Sequence, residues 1–252
     1  MFLEVNNLNK KFNKEHVVKA LSFELEKQKT LSILGKSGCG KTTMLKMISG
    51  LVNPDSGNVF LDGNEVTLLK PEQRNMVYLY QEDLLFPHLT IFENIAFGLR
   101  LKKINSKAIK DQVDQMAHSL ELHNQLDKMP HQLSGGQRQR VSFGRAIIIN
   151  PSVLLLDEPF GSLDSGTRQR MQSLFKNLTQ EYKITSLFIT HDLKEAILMG
   201  DKIGFMQNGN LHVYESKQDF LNDPTTGVNQ EINFWKSLQV EAGSELKNTI
   251  NE

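Results

Sequence analysis

Three glycines and two lysines fall within the eight residues GKSGCGKT, Gly35 to Thr42. Such a run suits an anion, because backbone N–H groups can close on phosphate oxygens with few side chains in the way. It is preceded by TLSIL, Thr30 to Leu34, which is apolar and of strand length. It is followed by MLKMISGL, where Met44, Leu45, Met47, Ile48 and Leu51 recur at helical spacing. A helix N-terminus adds unpaired N–H groups and the positive end of the macrodipole. The stretch fits G-x-x-x-x-G-K-[ST], a nucleotide phosphate loop. In that reading Gly35, Lys36, Ser37, Gly38, Cys39 and Gly40 form the cradle. Lys41 reaches the β- and γ-phosphates, the Thr42 hydroxyl ligates Mg²⁺, and Thr43 adds a phosphate hydrogen bond. A glycine-rich turn without a ligand is the alternative, and the flanking strand and helix weigh against it.

A second site must hold the metal and activate water. In SVLLLDEP, Ser152 to Pro159, an apolar strand ends in Asp157 and Glu158. Ligands of open α/β folds bind at that carboxyl edge. Asp157 would hold Mg²⁺ through water, and Glu158 would polarise a water for attack on the γ-phosphate. Taken alone, an acidic pair after a strand is as well explained by a solvated loop. The phosphate loop in the same chain favours the metal site.

These residues need a scaffold. Strand-like runs occur at FLEV, TLSIL, NVFL, MVYLY, VLLLD and SLFITH, with helical patterns between them. That alternation predicts an α/β architecture with a mainly parallel sheet. VLLL and LFI are apolar without alternation, as in strands covered on both faces. Strand signals stop over about residues 85–145, which reads as an inserted helical region. Within it Ser106 is the expected N-cap of a helix presenting Ile109, Val113, Met116 and Leu120 on one face. Residues 236–252 are polar and weakly periodic, so a peripheral tail is expected there.

The chain has 252 residues, with 29 Lys plus Arg against 29 Asp plus Glu. Formal neutrality argues against a dedicated nucleic-acid binder, which usually carries a basic excess. No apolar run approaches the ~20 residues that span a bilayer. The N-terminus, with Glu4 and several asparagines, does not read as a signal peptide. The single cysteine, Cys39, excludes an internal disulfide and fits a reducing compartment. The expectation is a protein on the cytoplasmic side.

LSGGQRQR, Leu133 to Arg140, is more specific still. Together with the phosphate loop, LLLDEP and the later ITHD, it resembles the ATP-binding subunit of ABC transporters, over about residues 2–224. The resemblance implies a P-loop NTPase with a RecA-like core, an N-terminal antiparallel β-subdomain and an inserted α-helical subdomain. One ATP-binding domain would cover residues 1–235. ATP and Mg²⁺ are the implied cofactors and ATP hydrolysis the implied activity.

The signature also reads physically as a second anion site: Ser134, Gly135 and Gly136 precede a helix expected to begin near Gln137. One nucleotide does not need two such caps from one chain. In the family two subunits pack head to tail, so that Ser134, Gly135, Gly136 and Gln137 of one copy would close on ATP held by the other. By the same resemblance Gln81 touches Mg²⁺ and the attacking water, and His191 contacts the γ-phosphate and positions Glu158. Asp164, in GSLD, would cross the dimer interface, and Phe12 would stack on adenine, although a buried core phenylalanine is the alternative.

QEDLLFPHLTIFENIAFGL, Gln81 to Leu99, resembles importers of metal ions, oxyanions, polyamines and sugars. Leu84, Leu85, Phe86 and Leu89 would then line a groove for a helix of a membrane permease, or else pack in the core. The implied partners are a second copy, transmembrane permease subunits and, indirectly, a solute-binding protein, with no nucleic acid. The protein would lie at the inner face of the cell membrane. The C-terminal regulatory β-domain of some members is not expected. Two departures stand out: Gly144 where alanine is usual, and Ser216 where proline is more common. Rival readings are a soluble ABC ATPase acting on nucleic acid or ribosomes, and a regulatory module that binds ATP without turnover. Neutral charge disfavours the first; Glu158 and His191 disfavour the second.

Overall fold

A computed structural model describes residues 1–230 and residue 233. The expected tail over residues 236–252 lies outside the described residues. Two sheets organise the rest. The larger has strand order β10-β9-β3-β8-β7-β6. Its members are β3 (Thr30–Leu34), β6 (Met76–Leu79), β7 (Val153–Asp157), β8 (Ser186–Thr190), β9 (Lys202–Gln207) and β10 (Asn210–Tyr214). All neighbours are parallel except β10, which runs against β9. The smaller sheet is antiparallel, in the order β2-β1-β4-β5. It comprises β1 (Leu3–Phe12), β2 (Glu15–Leu25), β4 (Ser56–Leu61) and β5 (Asn64–Glu65). This is the expected mainly parallel α/β core with an antiparallel N-terminal sheet.

The apolar runs are explained by what covers them. Strands β3 and β8 are buried at every position. Side chains alternate between the two faces of a strand. On β7, Val153 and Leu155 turn toward helix α1 (Lys41–Ser49), packing with Met44, Ile48, Leu3 and Val59. Leu154 and Leu156 turn the other way. There they meet α2 (Ile91–Leu101), α3 (Ser106–Ser119), α4 (Gly135–Ile147) and α5 (Ser165–Glu181) through Ile95, Val113, Phe143 and Phe175. A third cluster joins Leu34, Leu193, Ile203, Tyr214 and Phe220 around α6 (Leu193–Met199) and α7 (Lys217–Asn222). Helix α1 is thus wedged between the two sheets, which fixes the loop that precedes it.

Several local expectations change. The cap of α3 is Asn105, one residue before Ser106: its side chain accepts the Ala108 amide at 2.8 Å. Asparagine satisfies that orphan donor at least as well as serine. Helix α4 starts at Gly135 rather than near Gln137, because Ser134 is itself the cap and forms a reciprocal box with Gln137. Ser216 has a comparable role in place of proline, accepting the Asp219 amide at the start of α7. Gly144 lies where α4 meets its neighbours. A β-carbon there would collide with Leu120 and sit 3.4 Å from Met116 and 3.7 Å from Ile95. Glycine permits that close approach of side chains, against its helix cost of roughly 0.5–1 kcal/mol.

Candidate functional site

The phosphate loop leaves buried β3 and enters α1, as its sequence predicts. Gly40 occupies the cap position in the left-handed region, at φ 108°. A β-carbon there would lie 2.6 Å from the Val17 carbonyl, so the tight turn and the neighbouring strand both demand glycine. Lys41 is 4% exposed. Its Nζ donates to the Gly35 carbonyl at 2.6 Å and to that of Lys36 at 3.1 Å, and lies 4.0 Å from Glu158 Oε1. At the far end of α1, buried Arg74 donates to the Met47 and Ile48 carbonyls at 2.9 and 2.8 Å. It also binds the carbonyls of Thr67 and Leu69. The helix is therefore held at its C-terminus by a cation that complements the dipole, while its N-terminus faces the loop.

Strand β7 delivers the acidic pair to the same place. Thr42 Oγ1 donates to Asp157 Oδ1 at 3.1 Å. Tyr78 Oη, from the adjacent strand β6, donates to the other oxygen, Oδ2, at 2.5 Å. Burial, followed by that bond to Asp157, pushes the Tyr78 phenol well above its ordinary pKa and keeps it a donor. Glu158 adopts φ 45°, a left-handed conformation uncommon for a residue with a β-carbon. Its Oε2 is 2.7 Å from His191 Nδ1 at the end of β8. Hard oxygen donors from Thr42 and Asp157 suit Mg²⁺, which keeps several waters and takes few protein ligands beside substrate phosphates. Among the described residues no cluster of three or more His, Cys, Asp or Glu could hold an ion without such help.

A cavity of about 650 Å³ gathers the loop and the acidic pair, while Tyr78 and His191 stand outside its lining. Its lining includes Ser37, Gly38, Gly40, Lys41, Thr42 and Thr43 of the loop, and Gln81, Asp157 and Glu158. Gln81 lies beside Gly161, where a β-carbon would be 2.9 Å from its Nε2. Cys39 and Lys36 line a neighbouring cavity, with Val17, Ser37 and Gly38 common to both. Phe12 ends β1 and is 46% exposed, which removes the buried-core alternative; Lys10 Nζ stands 5.5 Å from its ring centre. The structure does not bring Phe12 into the lining of either cavity.

A second depression, of about 440 Å³, lies elsewhere on the same chain. Ser134, Gly135, Gly136, Gln137 and Asp164 line it, together with Arg140 and Arg170. Asp164 caps α5 by accepting the Thr167 amide at 3.0 Å, and that bond holds its carboxyl below the usual range. The signature and Asp164 are thus brought together, and none of them shares a lining with Lys41 or Glu158.

The ABC transporter family model matches residues 18–161. The chain belongs to the ABC transporter family. It is 42% identical over 222 residues to a spermidine/putrescine import ATP-binding protein, PotA, of Acetivibrio thermocellus, covering 88% of this chain and 63% of the relative. It is 41% identical to the molybdate/tungstate import ATP-binding protein WtpC of Pyrococcus abyssi, covering 92% of this chain and 67% of the relative. A sulfate/thiosulfate import ATP-binding protein, CysA, of Pectobacterium atrosepticum is 38% identical, with 90% and 70% covered. The chain therefore spans about two thirds of the length of these curated relatives. Among the described residues no helix is long and apolar enough to cross a membrane.

Within this ABC transporter chain, some site neighbours escaped the sequence. Tyr78 reads only as part of an apolar strand, and Val17 and Tyr80 carry no chemical signal. Asn94 is fully buried and binds the Phe86, Leu89 and Thr90 carbonyls and the Phe86 amide, fixing the segment after Gln81. Arg138 of α4 pairs with Asp83 at 2.8 Å, and Arg145 binds the Leu84 carbonyl and stands 5.1 Å from the Phe86 ring centre. The signature helix is thereby tied to residues 83–86. Leu84 is exposed, whereas Leu85, Phe86 and Leu89 are half-buried.

Proposed function

We propose that two copies of this chain hydrolyse ATP at sites that each draw on both copies, and that this work drives import through a membrane permease. The observation that carries the reading is the separation of two anion-suited surfaces: the Lys41–Asp157–Glu158 cavity and the Ser134 depression. Within the first, the loop amides and Lys41 would bind and orient the terminal phosphates. Thr42 and Asp157 would hold Mg²⁺, which when bound supplies charge stabilisation at the transferring phosphoryl group. Glu158 would take a proton from the attacking water, and His191, already bonded to it at 2.7 Å, would hold it in orientation. Gln81 would help to place that water. Ser134 and the first amides of α4 would close on the terminal phosphate from the second copy. Phe12, exposed at the end of β1, would offer its face to the base.

The relatives' names as import ATP-binding proteins support an inward direction and membrane partners. On this reading the segment carrying Leu84, Leu85, Phe86 and Leu89 would receive a permease helix at the inner membrane face, with a solute-binding protein acting indirectly. ATP would bias the pair toward the closed arrangement through its higher affinity for that state.

The test is phosphate release as a function of protein concentration, for the native chain and for Ser134→Ala. Activity per molecule should rise with concentration, and Ser134→Ala should lower it at every concentration. The lost cap costs about 1 kcal/mol of stability, so thermal melting must accompany the assay. Equal activity per molecule in dilute and concentrated samples, with Ser134→Ala fully active and folded, would refute the proposal.

A further inference from the structure

We infer that Tyr78 is a positioning residue for Asp157: its hydroxyl clamps one carboxylate oxygen so that the other is aimed at the metal and Thr42. The inference rests on the reading that Asp157 holds Mg²⁺. Strands β6 and β7 are parallel and in register, with Tyr78 opposite Leu155. Leu155 and Asp157 are two residues apart and so share a strand face. Tyr78 packs on the same cluster as Leu155 and α1, so its ring lies along that face and its hydroxyl reaches Asp157. The two oxygens then have different partners: Oδ2 takes the Tyr78 hydroxyl at 2.5 Å, and Oδ1 takes Thr42 at 3.1 Å.

Only one of these contacts survives metal binding as proposed. Thr42 would turn its oxygen lone pairs to the ion and cease donating to Asp157. The phenol binds the carboxylate oxygen that Thr42 does not, and its ring is held by packing and by Tyr80, whose ring centre is 4.6 Å away. A carboxylate with one oxygen fixed presents the other without first losing rotational freedom. Partners of this kind behind a metal ligand typically change metal affinity by about 10–100-fold. Tyr80 lines the main cavity and precedes Gln81, so the same strand that fixes Asp157 also leads into the proposed water-placing glutamine.

The experiment uses the full chain and Mn²⁺ as the probe, with free Mn²⁺ measured by electron paramagnetic resonance beside a non-hydrolysable ATP analogue. Tyr78→Phe keeps the ring and removes the donor. We expect its Mn²⁺ affinity to fall by about tenfold or more. Affinity for the analogue in excess chelator, measured by calorimetry, should be unchanged, which a general loss of structure would not allow. Asp157→Asn is the reference. If Asp157→Asn weakens Mn²⁺ and Tyr78→Phe does not, the positioning role of Tyr78 is overturned and the metal reading stands. If neither variant weakens Mn²⁺, the assignment of Asp157 to the metal fails, and the role of Tyr78 fails with it. If Tyr78→Phe loses analogue affinity in chelator as strongly as Mn²⁺ affinity, Tyr78 supports the fold rather than the carboxylate, and the inference is again overturned.

Discussion

A carboxylate can take a proton from water only if its orientation is settled beforehand. Glu158 has that constraint from two sides: His191 at 2.7 Å on Oε2 and Lys41 at 4.0 Å from Oε1. Its left-handed backbone turns the side chain out of the strand line directly after Asp157. Glu158→Gln preserves shape and removes the proposed base. Turnover should fall by about 10²–10⁴-fold. Affinity for a non-hydrolysable analogue should stay near that of the native chain. Quench-flow phosphate release and calorimetry check the two halves of this statement; native turnover would remove Glu158 from the role of base. Asp157, Glu158 and Lys41 were legible because each is a charged type at a place where strand, turn and helix meet. Tyr78 was not, because MVYLY carries only the pattern of a half-buried strand. Nothing in a linear sequence says that its hydroxyl meets a carboxylate 79 positions away.

At the scale of elements, α4 carries the most constraint. Its first turn is the Ser134 cap, its middle is wedged against α2 and α3 at Gly144, and its arginines hold residues 83–86. Alanine at position 144 would improve helix propensity by roughly 0.5–1 kcal/mol. It would also overpack a contact with fully buried Leu120, a cost of typically 1–3 kcal/mol. The second term is the larger, so Gly144→Ala should lower the urea midpoint with an unchanged slope. An unchanged or raised midpoint would mean that α2, α3 and α4 separate without cost. Among the parallel strands, β3, β7 and β8 were readable because burial on both faces leaves an apolar run. Parallel β9 was not, nor were β2, β5 and β10, and β1 was seen only at its start. EHVVKALSFEL mixes charged and apolar positions, because one face of an antiparallel sheet can remain wet. It pairs antiparallel with β1.

At the scale of the whole molecule, the alternation of strands and helices predicted the layered α/β build, and the two clusters on either side of the parallel sheet bear it out. What single-chain patterning does not convey is how two surfaces of one chain are placed relative to each other. Ser134 and Glu158 lie on opposite sides of that question: each lines its own hollow. Suppose Ser134→Ala chains are mixed and reannealed with Glu158→Gln chains, each preparation being inactive by itself. A hybrid pair then collects both lesions at one nucleotide and leaves the other nucleotide with an intact base and an intact serine. Random pairing should restore about a quarter of the native turnover, by the symmetry of a two-fold assembly. If blending the two crippled stocks revived nothing, each nucleotide would be served by a single polypeptide. The geography of the two hollows thus converts a question about quaternary arrangement into a complementation assay between two dead enzymes.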